Sequence, residues 1–76
     1  MNVEILTPDQ ELFQGEADIV TLPGQNGSFQ IKKNHAAMIS NLKDGEIIVA
    51  QDGSEQKFEV KGGLVEVLKN KIVILV

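Results

Sequence analysis

A chain of 76 residues forms one domain, and a domain this small removes only about 60% of its unfolded surface from water. With no cysteine there is neither a disulfide framework nor a thiolate metal site, and with no tyrosine or tryptophan the core rests on Val, Ile, Leu and three Phe. The net charge of −4, carried by eleven carboxylates against seven lysines and no arginine, excludes the clustered cations that nucleic-acid contacts require.

Taken in chain order, two-residue alternation dominates, which is the period of a half-buried strand. Val3 and Ile5 open the pattern, and the turn Thr7-Pro8-Asp9 breaks it before Leu12-Phe13-Gln14-Gly15-Glu16-Ala17. Ala17, Ile19 and Thr21 then alternate against Val20 and Leu22. Leu22-Pro23-Gly24 ends that strand, and Asn26-Gly27 supplies the positive φ angles of a tight turn before Phe29 and Ile31 restart the alternation. Asn34 to Leu42 is the one stretch where a short helical turn after an Asn cap competes with a strand. Ile47 and Val49, Phe58 and Val60, Val65 and Val67, and finally Ile72, Ile74 and Val76 continue the strand period, separated by breaks at Asp52-Gly53, Gly62-Gly63 and Asn70. The spacing of the breaks predicts an all-β fold, a small antiparallel sandwich or barrel, over a single domain spanning 1–76.

No leader precedes Val3, and the longest apolar run, Ile72 to Val76, is far too short to span a bilayer, so a soluble protein of the cytosol is expected. The pair Lys32-Lys33 makes no polybasic membrane patch. Charge is unevenly distributed: residues 1–31 hold Glu4, Asp9, Glu11, Glu16 and Asp18 and no lysine, which predicts an acidic surface on the first part of the chain.

Few residues offer chemistry. His35 is the only imidazole and has no nucleophile signature beside it, so the residues favour a ring that caps a loop and hydrogen-bonds backbone, and catalysis is not expected. Gly24 to Gly27 and Gly62-Gly63 lack the Lys-Ser or Lys-Thr ending of a phosphate-binding loop and are read as turns. Asn26-Gly27-Ser28 is formally a glycosylation acceptor, expected to stay unmodified without secretion. Glu55 and Glu59, or Asp44 and Glu46, sit beside turns at positions where strands meet water. No catalytic residue, metal site or cofactor is expected.

The collinear order of these features is specific where each alone is common. The run LPGQNGSFQIKKNHAAMISNLKDGEI from Leu22 to Ile47, with the Thr7-Pro8-Asp9 turn, Phe58-Glu59-Val60-Lys61-Gly62-Gly63-Leu64-Val65-Glu66-Val67 and the closing Asn70 to Leu75, resembles the N-terminal domain of the epsilon subunit of the rotary ATP synthase. The likeness covers nearly all residues, with departures at Gln30, where the family usually has glycine, and at Ala37, where it has proline. It implies a flattened antiparallel sandwich of about ten short strands in two sheets, with a strand rather than a helix after His35. It further implies a non-catalytic subunit of the central stalk that links the gamma shaft to the membrane-embedded c-ring and couples proton flow to ATP synthesis. Such a sandwich transmits torque as a poorly compressible wedge. The resemblance assigns Thr7, His35 and Ser40 to the face toward gamma, and Gln25, Asn26, Gly27, Ser28, Phe29 and Gln30 to the edge that rests on basic polar loops of the ring. It puts the protein at the cytoplasmic face of a bacterial inner membrane, held there by its partners rather than by insertion. In many members a helical hairpin follows the position of Val76 and carries nucleotide binding or inhibition of hydrolysis, so no nucleotide binding is expected of these residues.

Two other classes fit the composition. A biotinyl or lipoyl carrier domain is similarly short, acidic and all-β, but needs a hairpin lysine in a Met-Lys-Met or Asp-Lys-Ala setting, which none of the seven lysines has. A stand-alone small binding barrel needs a pocket with convergent polar groups, for which a chain of this size has little volume.

Overall fold

A computed structural model describes all residues, 1–76. Nine strands form where about ten were expected: β1 (Asn2–Leu6), β2 (Glu11–Glu16), β3 (Ile19–Gly24), β4 (Gly27–Lys32), β5 (Met38–Leu42), β6 (Gly45–Gln51), β7 (Ser54–Val60), β8 (Gly63–Leu68) and β9 (Lys71–Leu75). There is no helix. Asn34 takes a φ of 68°, a turn conformation, and β5 begins at Met38, so the helical alternative for Asn34 to Leu42 is not realised.

The strands fall into two layers, β2-β1-β9-β8-β5 and β4-β3-β6-β7. The layers are not separate sheets in the hydrogen-bonding sense, because a single β3–β5 pair, Gly24 opposite Leu42, joins them into one nine-stranded sheet curled on itself. Pro23 stands at this corner: β3 leaves β6 after Thr21 and meets β5 at Gly24, and between them the Pro23 carbonyl accepts the Lys43 N–H at 2.9 Å. A proline, which has no N–H to donate, is tolerated where the partner strand changes. Nor is the sheet wholly antiparallel. β1 and β9, the first and last strands, run parallel, Ile5 beside Ile74. Alternation looks the same in either orientation, so the sequence does not reveal it.

The concave side of the curl closes over one core of Met1, Val3, Ile5, Ala17, Val20, Leu22, Ile31, Leu42, Ile47, Val49, Val65, Val67, Ile72 and Ile74. Apart from Met1, Ala17 and Leu42, these are the inward members of the alternations read from the sequence. Phe13 and Phe58 close the side of this core edge to face, with ring centres 5.9 Å apart.

The registers sort the turns into two ends. At one, the Thr7 end, lie the β1–β2 turn, the Gln25-Asn26 turn, Lys43-Asp44 and Lys61-Gly62. At the other, the His35 end, lie Ala17-Asp18, the 33–37 loop, Asp52-Gly53 and Lys69-Asn70. Asp52 (φ 50°) and Gly53 (φ 81°) form the two-residue hairpin turn in which both central residues need positive φ. The Gln25-Asn26 turn differs from expectation, since only Gly27, at φ 125°, is positive there and Asn26 is not.

Candidate functional site

Thr7 organises its own turn. Its Oγ1 accepts the N–H of Gln10 at 2.9 Å and of Asp9 at 3.2 Å and donates to the Gln10 carbonyl at 3.1 Å. At the same end, Gln25, Asn26, Gly27 and Ser28 form an exposed hairpin tip. Phe29 is not part of that surface. It is half-buried, and its ring lies over Gly24, where an added Cβ would meet it at 2.7 Å. Gln30 lies on the outer face of the second layer, its amide 3.4 Å from Thr21 Oγ1.

His35 sits at the opposite end from Thr7. Its backbone N–H reaches the Lys32 carbonyl at 3.2 Å and its Nδ1 lies 2.7 Å from the Ala36 carbonyl, on an exposed loop. Because a carbonyl only accepts, that contact requires the proton on Nδ1. Ser40 faces inward from β5 opposite Val65, half-buried, with its hydroxyl donating weakly to the Asn41 carbonyl at 3.4 Å. Thr7, His35 and Ser40 therefore do not converge on one spot.

What connects the first two is a surface that residue-by-residue reading missed. On the outward side of the first layer the registers align three rows: Leu6, Leu75, Leu64 and Asn41; Glu4, Val73, Glu66 and Ile39; Asn2, Lys71 and Leu68. Ile39 is 66% exposed, Leu75 47% and Leu68 44%, the large apolar side chains most open to water in the chain. Ala37, Ile39, Glu66 and Leu68 frame a shallow groove of about 360 Å³. The face begins beside Thr7 at Leu6 and ends beside His35 at Ala37. Its signal in the sequence is the unbroken run Ile72 to Val76, apolar on both faces of β9, a pattern normal for strands covered on both sides.

The acidic surface expected of residues 1–31 is not assembled as such, because Glu16 and Asp18 lie at the His35 end and Asp9 and Glu11 at the Thr7 end. The acidic end is built across the sequence instead: Asp9 and Glu11 share it with Asp44, Glu46 and Glu59, against Lys43 and Lys61. Glu46 and Glu59 stand directly opposite each other on neighbouring strands. No three His, Asp or Glu side chains converge in a metal-binding group.

Fold and surface together define a small all-β domain with one sheet face rich in exposed apolar side chains and one acidic end. Residues 1–76 match the ATP synthase delta/epsilon chain β-sandwich domain along their whole length, and the chain belongs to that family. It is 40% identical over 74 residues to the ATP synthase epsilon chain of Chlorobaculum tepidum, covering 96% of this chain and 84% of that one. It is 41% identical over 76 residues to ATP synthase epsilon chain 1 of Methylococcus capsulatus, spanning 99% of this chain and 54% of that longer one. The fold recurs in the mitochondrial ATP synthase of Euglena gracilis, in the assembly with OSCP, F1 and c-ring, with a TM-score of 0.89 at 17% identity over 96% of this chain and 48% of that one. It also recurs in the central stalk and c-ring structure of the Tetrahymena thermophila mitochondrial enzyme, with a TM-score of 0.80 at 23% identity over 97% of this chain and 60% of that one. As an epsilon chain it is a non-catalytic part of a membrane-associated complex, and the carrier-domain and free-standing barrel readings are set aside.

Proposed function

We propose that this domain is the rotor wedge of a bacterial proton-translocating ATP synthase, at the cytoplasmic face of the inner membrane, seated between the gamma shaft and the c-ring. The observation that carries the reading is the outward face of β1, β9, β8 and β5, where Leu6, Ile39, Leu64, Leu68, Val73 and Leu75 lie among Glu4, Glu66 and Lys71. Contiguous exposed apolar patches mark interaction sites on soluble proteins, and a face that runs the length of the strands, about 17 Å for five residues, suits a long shaft. Gamma covers that face and flanks Thr7 at one limit and His35 at the other, while Ser40 supports it from beneath. The tip from Gln25 to Ser28 bears on the ring, with Phe29 and Gln30 bracing the hairpin behind it. The acidic residues around that tip favour basic loops as its partner and act more on orientation and encounter than on affinity. The 76 residues act as one rigid domain without nucleotide or cofactor.

Disulfide trapping tests this directly, because the chain contains no cysteine of its own. In the assembled complex, Ile39→Cys is expected to cross-link to cysteines introduced in gamma, and Ser28→Cys to cysteines in the polar loops of the ring. Cross-links with the partners exchanged overturn the assignment of the two surfaces.

A further inference from the structure

We propose that Asn26 is a site of spontaneous deamidation, which converts the tip of the Gln25-Asn26 hairpin to a mixture of aspartate and isoaspartate. In this reaction the backbone nitrogen of Gly27 attacks the side-chain carbonyl carbon of Asn26. The N–Cγ bond forms and the Cγ–Nδ2 bond breaks. The side-chain nitrogen leaves as ammonia, carrying the proton that the Gly27 amide gives up. The five-membered succinimide then takes up one water at either of its two carbonyl carbons and opens to a carboxylate.

Three features of the structure favour the step here. Asn26 is exposed at the apex of a two-residue turn, and its carboxamide makes no hydrogen bond within the chain. The flank of Gly27 is open, since a Cβ built there meets nothing within 4 Å. Glycine also gives the attacking nitrogen the backbone freedom to reach the side chain, at a loop tip where local opening is easiest.

The other asparagines lack this combination. Asn2 and Asn41 are held in ladders on β1 and β5, each followed by a buried side chain, Val3 and Leu42. Asn34 and Asn70 are fixed in turns at φ 68° and 60° and precede His35 and Lys71, whose Cβ atoms restrict the backbone in a way glycine does not.

The product adds a negative charge to an end already rich in carboxylates, and the isoaspartate form inserts a methylene into the backbone of a turn that sets the Gly24–Gly27 register. If the ring contact holds as proposed, the change ages that contact, but the chemistry does not depend on it.

The test is incubation of the folded 76-residue chain at neutral pH and body temperature, with peptide mass spectrometry counting deamidated product at each asparagine and isoaspartyl methyltransferase labelling the isoaspartate. Asn26 is expected to convert at least an order of magnitude faster than Asn2, Asn34, Asn41 or Asn70, and Asn26→Gln, whose cyclisation needs a larger ring, to remove most of the label. A rate at Asn26 less than an order of magnitude above the others, or label undiminished in Asn26→Gln, overturns the proposal. Because the readout uses the isolated chain, failure of the ring contact and failure of the deamidation are seen separately.

Discussion

The carboxylate of Asp18 accepts the backbone N–H of Asp52 at 3.0 Å, across 34 residues of sequence. It ties the β2–β3 connection to the β6–β7 hairpin, alongside the backbone bond from the Asp18 N–H to the Ala50 carbonyl at 2.8 Å. A hydrogen bond to a charged acceptor contributes about 1 kcal/mol net when exposed to solvent. Asp18→Ala is therefore expected to lower the unfolding free energy by about that amount and to speed amide exchange at Asp52. Asp18→Asn, which keeps an acceptor oxygen, should lose about half as much. Equal stability of Asp18→Ala and the parent in urea titration would show that the contact is dispensable.

Glycines with positive φ are not equivalent. Gly53 has open space where a Cβ would go, whereas a Cβ on Gly63, at φ 150°, collides with the Leu75 carbonyl and with Val76. Gly53→Ala is expected to cost about 1 kcal/mol through backbone strain alone. Gly63→Ala should cost about 3 kcal/mol or more, because β8 must move away from β9. Chemical denaturation of the two variants side by side checks the order.

In the core, Ile74 is fully buried and pairs with Ile5 on one side and Val65 on the other. Ile74→Ala removes packing from the one parallel contact and is expected to cost about 2–5 kcal/mol. A chain of 76 residues has about 4–11 kcal/mol of stability in all, so the variant should lose roughly half of it, which a lowered urea midpoint of the isolated domain reads.

On the outward face, Ile39→Asp and Leu68→Glu should leave the isolated domain folded, because both side chains are already wet. Each is expected to weaken gamma binding by about 2–3 kcal/mol, since the new charge must be desolvated without a partner. His35→Glu, at the margin of the face, should weaken it less. Calorimetric titration with gamma at fixed salt reads the difference, and unchanged affinity in the first two removes this face from the interface.

Glu46 and Glu59 oppose each other as like charges, which costs a few tenths to about 1 kcal/mol in a ladder. Glu59→Lys is expected to raise the stability of the isolated domain by about 0.5 kcal/mol while slowing its association with the ring at low salt. A gain in stability with no kinetic penalty would mean that the carboxylates of the Thr7 end play no part in docking.

Much of this protein is legible in the chain alone. The two-residue period selects the strands and the inward side chains, from Val3 and Ile5 to Ile72 and Ile74, because alternation is a local property of extended backbone. The Asp52-Gly53 turn is legible for the same reason, since its two residues carry their conformational preference with them. The ordered set of turns and strand residues from Thr7 to Leu75 was enough to point to the family. What the tertiary structure decided is everything that depends on which strands are neighbours. Hydrogen bonding is indifferent to sequence, so nothing local specifies that β1 lies parallel to β9, or that one Gly24–Leu42 pair joins the layers. The same indifference hid the outward face. Leu6, Ile39, Leu64, Leu68, Val73 and Leu75 are scattered along the chain, and only the registers of four strands bring them onto one surface. Thr7 and His35, assigned by the resemblance to one face, stand at opposite ends of the strands because burial of the other side of those strands fixed the register between them.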